Sequence, residues 1–474
     1  MNYPKKTKII CTIGPSSNSL EMLTTLIANG MDVARLNFSH GDYDFFKTLV
    51  NNIKIASKLA NREIAVLQDL QGPKIRTGKV ENGAVELKDG QSFTITTDEI
   101  EIGNNKIVST SYKNLPKELK VNSTLLIDDG YLIFKVKNIT KNDVECVVIK
   151  GGKLKDKKGI IAPGISFSAP AISEKDLEDL KFGLSLGIDL VALSFVSSSR
   201  DILELKTTQK IFGRQVPIIA KIERPEAIKN IDEIIEESDG IMIARGDLGL
   251  EFPVEDVPLL QKNIINKCNA KSKPVITATQ MLESMINNLR PTRAEATDVA
   301  NAVIDGSDAL MLSGETSVGT YPKEALNTMF NIIKKTEDNI YNIPYGDKLF
   351  TNLKNDLNES LAHASTVIAE QMNASAIITI ATDINLIKDI SKFRPRIPII
   401  GLSNNLELIR QMNLIWGVIP TYINKLDSFD DFYKFFLNNK EKFNYIVNES
   451  YIVFVSGYNN LTFDNMIKVN QIIF

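Results

Sequence analysis

Residues 216–249 carry the pattern that decides the fold, and they read VPIIAKIERPEAIKNIDEIIEESDGIMIARGDLG. Two short runs rich in isoleucine, at 216–223 and 239–249, enclose an amphipathic stretch that predicts a helix over Pro225–Glu237. Near-continuous apolar runs of this length are typical of parallel strands that are buried on both faces. The segment therefore predicts a strand–helix–strand unit.

The same pattern occurs along most of the chain. Six more apolar runs are strand candidates, namely KTKIICTIG, MDVARLNFS, EIAVLQDL, IDLVALSFV, KPVITATQM and SDALMLSG. Further amphipathic stretches predict helices at Leu20–Asn29, Phe45–Ala60, Glu174–Leu186, Ile202–Ile211, Val257–Ala270, Ala294–Val303 and Lys323–Lys335. Eight strand–helix units in series favour a TIM (β/α)₈ barrel, with an open doubly wound sheet as the alternative.

Two other regions have a different pattern. From 72 to 167 the segments are short, β-branched and separated by Asn-Gly, Asp-Gly and Gly-Gly pairs, which predict a small all-β domain. It interrupts the barrel, which we assign to 1–71 and 168–343, after the third strand, so we expect a lid over the C-terminal face. Residues 344–474 predict a separate open α/β domain, with regulation or subunit contacts as its expected role. Its strand candidates are ASAIITIA, RIPIIGLS, YIVFVSG and MIKVNQIIF.

The composition excludes several classes of protein. The chain has 474 residues and a formal net charge of -3, which predicts several domains and neither nucleic acid nor a membrane as partner. Three cysteines far apart and two histidines argue against a disulfide framework and a multi-histidine metal site. Neither a signal peptide nor a long apolar run is evident, so we expect a cytoplasmic protein.

Polar side chains follow the predicted strands at the C-terminal ends, where barrel active sites lie. Glu223 and Asp247 end adjacent strands, and two carboxylates with open positions suit Mg²⁺; the alternative is a structural pair held by arginines. Lys221 beside them could stabilise the negative charge of a transferring phosphoryl group and of an enolate. The alternative is a lysine that reaches out to solvent.

Other strand ends offer groups that bind anions. Arg35 and Arg76 carry planar forks suited to phosphate oxygens, although most surface arginines have no such role. The backbone N–H groups of Gly246 and Asp247, with the hydroxyl of Thr279, could bind a substrate carboxylate.

Asn37, Ser39 and Asp69 offer oxygens for a monovalent cation or for the surroundings of a phosphate. The sequence has no Walker A motif and no protein-kinase glycine-rich loop with a paired H-R-D. These nucleotide-binding families are therefore disfavoured.

Taken together, the motifs resemble those of the pyruvate kinase family. The matching stretches follow the family order over nearly all of residues 5–325 and include TKIICTIGPSS, ARLNFSHG, LQDLQGPKIRTG, AKIERPEAI, MIARGDLGLE, TATQMLESM and PTRAEATDVANAVIDGSDALMLSGETSVGTYP. The resemblance implies a barrel, an inserted β domain and a C-terminal domain. It also implies a homotetramer that transfers the phosphoryl group of phosphoenolpyruvate to ADP. The implied cofactor is Mg²⁺, for which Mn²⁺ can substitute.

The resemblance implies a role for each matching position. Arg35 would bind the substrate phosphate, and Lys221 would stabilise the transition state. Glu223 and Asp247 would hold Mg²⁺, whereas the substrate carboxylate would be bound by Gly246, Asp247 and Thr279. The nucleotide would be contacted by Arg76 and Lys158, with Asn37 and His40 close to it. A water held near Thr279 is the expected proton donor to the enolate, with Lys221 as the alternative.

One departure from the family concerns K⁺. Most members bind K⁺ through oxygens like those of Asn37, Ser39 and Asp69 and through the carbonyl at the position of Leu70. Many of these have Thr at that position and Glu at the position of Lys74. The ammonium of Lys74 could take the place of K⁺, so we expect little or no K⁺ requirement.

A second departure lies in the C-terminal domain. Members activated by fructose 1,6-bisphosphate have a loop similar to T-x-S-G-x-[ST] after the first strand of that domain. The backbone N–H groups of this loop bind phosphate. Here the stretch reads ATDINLIKD, and the later loop SGYNNLTFD is short. We expect no activation by this sugar phosphate.

Two alternatives to a pyruvate kinase stay open at this point. Phosphoenolpyruvate mutases and citrate-lyase-like aldolases also hold Mg²⁺ and an enolate on a barrel, but they lack the inserted domain and the pairing of Arg35 with Lys221. The other alternative is a degenerate, non-catalytic relative that binds a sugar phosphate or a protein, which the divergent C-terminal domain would favour.

Overall fold

Eight parallel strands close into a barrel, which confirms the predicted fold class and excludes the open sheet. The structure is a computed structural model that describes residues 4–39, 41–73, 75–165, 167–168, 170–339, 356–424, 429–457 and 465–473. The barrel strands are Lys8–Thr12, Val33–Asn37, Ala65–Asp69, Leu190–Leu193, Ile218–Ile222, Gly240–Ala244, Val275–Ala278 and Ala309–Leu312. Each strand pairs with the next and the eighth pairs with the first, so all eight predicted strands are confirmed.

Helices connect the barrel strands and cover the outside of the barrel. They are Leu20–Ala28, Tyr43–Leu59, Glu174–Leu186, Ser199–Ile211, Pro225–Lys229, Ile231–Glu237, Arg245–Glu251, Val257–Ala270, Arg293–Ile304, Gly314–Ser317 and Pro322–Glu337. Ser173 and Thr292 begin two of them with capping boxes, in which the hydroxyl accepts a backbone N–H from the acidic residue three positions later. The predicted helices are therefore placed correctly to within a few residues, with one exception.

The exception is the predicted helix Pro225–Glu237, which the structure divides in two at Asn230. The backbone of Asn230 has φ −101° and ψ 17°, and its side-chain amide donates to the carbonyl of Ser197 at 2.8 Å. Asparagine favours bonds of this kind over a helix interior, so it ends the first helix. The sequence also gave no sign of the short helix Arg245–Glu251, which begins directly after the sixth barrel strand.

Successive side chains of each barrel strand alternate between the barrel interior and the layer under the helices. Ile10 packs with Ile219 and Met242 in the interior group, whereas its neighbours Ile9 and Cys11 pack with the helices. Burial of each such side chain stabilises the fold by about 1.5–3 kcal/mol. The barrel is therefore a filled core, and polar groups can gather only at its ends.

The inserted β domain lies between the third barrel strand and the helix that starts at Glu174. Its strands are Ala84–Leu87, Ser92–Thr96, Ile107–Ser109, Thr124–Ile127, Leu132–Ile139, Asp143–Lys150, Gly152–Lys155 and Ile160–Ile161, with a short helix at Leu115–Glu118. They form a six-stranded and a two-stranded sheet. The predicted Asp-Gly turn has positive φ at Asp128, Asp129 and Gly130, which joins two antiparallel strands.

The C-terminal domain is a five-stranded sheet with helices. Its strands are Ala376–Ile380, Ile399–Ser403, Val418–Tyr422, Tyr451–Ser456 and Met466–Gln471, and its helices are Leu357–Gln371, Asn385–Lys392, Leu406–Gln411 and Phe429–Asn438. Four of these strands were predicted. The strand Val418–Tyr422 was not, because it contains Pro420; it lies at the sheet edge, where the missing N–H is tolerated.

The C-terminal domain contacts the N-terminal ends of the barrel strands. Arg394 donates to the Asp308 carboxylate and to the Asn269 side-chain oxygen, each at 2.8 Å. Arg410 donates to Asp189 at 2.7 Å, and Asp308 and Asp189 directly precede barrel strands. The opposite, C-terminal end of the barrel is therefore left for the inserted domain.

A buried carboxylate, Asp32, stabilises the end of the barrel at which the strands begin. It accepts the N–H of Ile9 at 2.8 Å and forms ion pairs with Lys5 and Arg62. Burial alone would raise the pKa of Asp32, but Lys5, Arg62 and Lys8 outweigh burial and lower it to about 2. Because the folded pKa lies below the ordinary value of an aspartate carboxyl group, ionised Asp32 stabilises the fold above that ordinary pKa, and this contribution is lost as the pH falls toward 2.

We expect Asp32→Asn to lower the free energy of unfolding by about 3–5 kcal/mol, because it leaves buried cations unpaired. Urea unfolding at neutral pH measures this loss, and the exposed variant Asp44→Asn is the control. The loss of stability below the ordinary pKa should also become shallower in Asp32→Asn. Equal stability of the two variants at neutral pH would contradict the assignment.

Candidate active site

Lys221 lies at the C-terminal end of the fifth barrel strand, and its ammonium is surrounded by oxygens. Its Nζ lies 2.7 Å from Ser194 Oγ, 3.0 Å from Glu223 Oε1 and 3.3 Å from Asp69 Oδ1. Burial would lower the pKa of Lys221, but the carboxylates of Asp69 and Glu223 raise it well above the ordinary value. The side chain is only 12% exposed, so the lysine presents a fixed positive charge inside the rim rather than reaching into solvent.

Asp69 holds a second cation, Arg35, against the same rim. Arg35 Nε donates to Asp69 Oδ2 at 2.8 Å, and Arg35 Nη1 donates to Thr12 Oγ1 at 2.8 Å. Burial would raise the pKa of Asp69, but Lys221 and Arg35 keep it below its ordinary value. Arg35 is 11% exposed and is therefore oriented by its partners, unlike a free surface arginine.

Glu223 and Asp247 line one cavity at the ends of the fifth and sixth strands. Glu223 Oε2 accepts the N–H of Phe195 at 2.7 Å, and Phe195 has φ 56°, a left-handed conformation that is rare outside glycine. The charge of Asp247 also contributes to the raised pKa of Lys221. Within the described residues no group of three or more His, Cys, Asp or Glu is placed to hold a metal ion, so any metal here would have two carboxylates.

Gly246, Asp247 and Thr279 are close neighbours across the sixth and seventh strand ends. The N–H of Gly246, which we expected to point at a substrate, donates to Thr279 Oγ1 at 2.8 Å. The Thr279 hydroxyl in turn donates to the carbonyl of Ala278 at 2.6 Å. A carboxylate that binds here would therefore compete with the Thr279 hydroxyl for the Gly246 N–H.

The predicted monovalent-cation residues also meet at the rim. Asn37 is in register with Asp69 on the neighbouring strand, and its side-chain oxygen accepts the N–H of Ser39 at 3.1 Å. The carbonyl of Leu70 accepts the hydroxyl of Ser194 at 2.7 Å. Lys74, which we expected to replace K⁺, lies outside the described residues.

The predicted nucleotide residues Arg76 and Lys158 both belong to the inserted domain. Arg76 Nη1 donates to the carbonyl of Lys157 at 3.1 Å, and Lys158 forms an ion pair with Asp128 at 2.7 Å. The backbone bridge from Arg76 to Gly159 brings the two residues together. His40 lies outside the described residues, so its predicted role stays a prediction.

The cavity beside Glu223 is formed jointly by the barrel and the inserted domain. Ile75, Ile160 and Phe167 of the inserted domain face Phe195 and Asp247 of the barrel across it. Residues of the inserted domain and of the barrel therefore share the lining of the cavity beside these acidic groups.

Two hydroxyl residues of the site were missed by the sequence analysis. Thr12 ends the first barrel strand and binds Arg35, and Ser194 directly follows the fourth strand and binds Lys221. The signal that could have found them is the position at a strand end, which also identifies the site residues of five other strands.

Comparisons with known proteins point to one family. A family model described as the barrel domain of pyruvate kinase matches residues 4–326, and one described as the pyruvate kinase alpha/beta domain matches residues 359–470. The chain belongs to the pyruvate kinase family. The family predicted from the sequence motifs is therefore confirmed.

Individual pyruvate kinases are similar to this chain over most of its length. One from Mycobacterium intracellulare is 46% identical over 413 residues, which is 87% of this chain and 86% of the relative. One from Bacillus licheniformis is 44% identical over 420 residues, which is 88% of this chain and 72% of the relative. A crystal structure of a pyruvate kinase from Cryptosporidium parvum has a TM-score of 0.91 at 39% identity and covers 98% of this chain and 96% of its own. These matches confirm the predicted function and favour neither alternative, the other barrel enzymes or a degenerate relative.

Among the described residues, none of the helices combines the length and the apolar character that crossing a lipid bilayer requires.

We expect Ser194→Ala to lower kcat about tenfold, because the Lys221 ammonium loses its charge-assisted hydrogen bond to the Ser194 hydroxyl. Steady-state assays of pyruvate formation measure this effect. Ser185→Ala is the control, since Ser185 bonds only the carbonyl of Phe182 in its own helix. If Ser194→Ala kept the kcat of the wild type, Ser194 would not orient Lys221.

Proposed function

We propose that the chain transfers the phosphoryl group of phosphoenolpyruvate to ADP at the C-terminal end of the barrel, giving pyruvate and ATP. The observation that supports this most directly is the position of the Lys221 ammonium, 3.0 Å from Glu223 and 3.3 Å from Asp69 inside the rim. Phosphoryl transfer and enolate formation both develop negative charge, which a fixed cation stabilises in a shielded site.

Arg35 and Lys221 would bind the phosphate of the substrate. Both are held by Asp69, so their charges are oriented before the substrate arrives and cost little reorganisation during the reaction. Thr279, Gly246 and Asp247 would bind the carboxylate at the adjacent strand ends. The phosphate and the carboxylate would then bind at different strand ends of the barrel.

Glu223 and Asp247 are the residues that would hold Mg²⁺, or Mn²⁺ in its place. The two carboxylates line the same cavity, and the donor set suits an ion that takes one or two carboxylates and completes its shell with water and substrate oxygens. When bound, the ion would neutralise charge on the phosphate and enolate oxygens. Lys221 would help to hold the Glu223 carboxylate in place through their contact at 3.0 Å.

Of the two candidate proton donors to the enolate, we favour a water near Thr279 over Lys221. The carboxylates around Lys221 raise its pKa well above the ordinary value, which makes its proton hard to release. Thr279 lies at the rim with its hydroxyl between Gly246 and Ala278, where it could orient a water.

Arg76 and Lys158 would bind the nucleotide from the inserted domain, with Asn37 and His40 on the barrel side.

The domain limits also stay proposals: 1–71 together with 168–343 for the barrel, 72–167 for the inserted domain and 344–474 for the C-terminal domain. The cytoplasmic location is likewise a proposal. The homotetramer that the family resemblance implies also stays a proposal. Insensitivity to fructose 1,6-bisphosphate stays a prediction, and the loop SGYNNLTFD lies largely outside the described residues.

We expect Lys221→Met to lower kcat by about 10³-fold, because it removes the fixed cation and leaves the methylene chain in place. A coupled assay of ADP-dependent pyruvate formation measures this. Lys229→Met, on an exposed turn of the next helix, is the matched control and should keep the activity of the wild type. The thermal midpoint shows whether each variant folds; a folded Lys221→Met enzyme with full activity would refute the proposed role.

We expect the same activity in Tris, Na⁺ and K⁺ salts at equal ionic strength, because Lys74 supplies the charge that K⁺ would carry. The measurement is the initial rate at saturating Mg²⁺, phosphoenolpyruvate and ADP in each salt. Strong stimulation by K⁺ alone would show that a monovalent-cation site is functional, and the proposal for Lys74 would be wrong.

A further inference from the structure

Arg245 connects the two segments that carry Gly246 and Thr279, the residues proposed to bind the substrate carboxylate. It is the first residue of the helix Arg245–Glu251, next to Gly246, and its side chain is only 11% exposed. Its Nη2 donates to the carbonyl of Thr279 at 2.8 Å and to the carbonyl of Gln280 at 3.3 Å. The guanidinium therefore crosses from the sixth strand end to the seventh.

The far side of the same guanidinium is anchored to two helices. Arg245 Nη1 lies 2.8 Å from the carboxylate of Asp298 and 3.4 Å from the side-chain oxygen of Gln261. Asp298 belongs to the helix Arg293–Ile304 and Gln261 to the helix Val257–Ala270. The planar fork can reach all these acceptors at once, which a single ammonium could not do.

The segment that Arg245 holds has an unfavourable backbone. Thr279 has φ 66° and Gln280 has φ 55°, two consecutive left-handed residues, neither of which is glycine. Such conformations persist only where the surroundings hold them. The carbonyls of these two residues are the groups that accept from Arg245.

We infer that Arg245 is a positioning residue for recognition of the substrate carboxylate. It holds Thr279 in the left-handed conformation that brings Oγ1 within 2.8 Å of the Gly246 N–H, and Asp298 orients the guanidinium for this task. Arg245 itself does not touch the substrate. The inference rests on the proposed carboxylate contacts of Gly246 and Thr279.

The inference predicts a specific kinetic change. The carboxylate is bound to a similar extent in the ground state and in the transition state, so loosening its site should raise KM for phosphoenolpyruvate more than it lowers kcat. ADP is proposed to bind Arg76 and Lys158, away from this loop. KM for ADP should therefore stay unchanged.

The test compares Arg245→Lys with Arg290→Lys, an exposed arginine, in the full-length enzyme. Arg245→Lys keeps a positive charge for Asp298 but loses the fork that reaches both carbonyls. We expect KM for phosphoenolpyruvate to rise about tenfold in Arg245→Lys and to stay unchanged in Arg290→Lys. Asp298→Asn should change KM in the same direction, because Asp298 orients Arg245.

A second variant separates positioning from a general structural role. Glycine adopts positive φ without the steric cost of a side chain. Gln280→Gly in the Arg245→Lys background should therefore lower the KM for phosphoenolpyruvate part of the way back to the wild-type value.

Three results would overturn the inference: an unchanged KM for phosphoenolpyruvate in Arg245→Lys, an equal rise in the KM for ADP, or no recovery in the double variant. A wild-type enzyme without phosphoenolpyruvate-dependent activity would instead contradict the proposed function itself.

Discussion

The site depends on the charge balance of five side chains at the C-terminal end of the barrel, namely Arg35, Asp69, Lys221, Glu223 and Asp247. Asp69 lies between the two cations and contacts both, so neither cation is left buried without a partner. Three carboxylates against two cations leave the group with one net negative charge. A divalent cation would reverse that sign and prepare the site for an anionic substrate.

The barrel fold explains why this group can exist in an otherwise apolar core. The strand interiors are filled by side chains such as Ile219 and Met242, so charged groups gather only where strands end. At the opposite end, Asp32 stabilises the barrel, and the contacts of Arg394 attach the C-terminal domain to it. Residues of the inserted domain help to line the cavity at the charged end, beside Glu223 and Asp247.

Much of the fold and the charged centre could be predicted because parallel buried strands leave long apolar runs, and Lys221 stands directly at the end of one of them. Other features left no such signal. Ser194 is one serine among many, and its contact with Lys221 depends on the register of two strands. The guanidinium of Arg245 reaches residues 34 and 35 positions away, a contact that only the closed barrel creates. Pro420 masked an edge strand, because proline is normally evidence against a strand.

The central claim is that Glu223 and Asp247 share one divalent ion beside Lys221, and metal binding tests it most directly. Mn²⁺ affinity can be measured by electron paramagnetic resonance for the wild type, Glu223→Gln and Glu226→Gln, since Glu226 lines the same cavity without being a proposed ligand. The account predicts at least about tenfold weaker binding in Glu223→Gln and unchanged binding in Glu226→Gln. Equal affinity in all three proteins, or an equal loss in both variants, would contradict it.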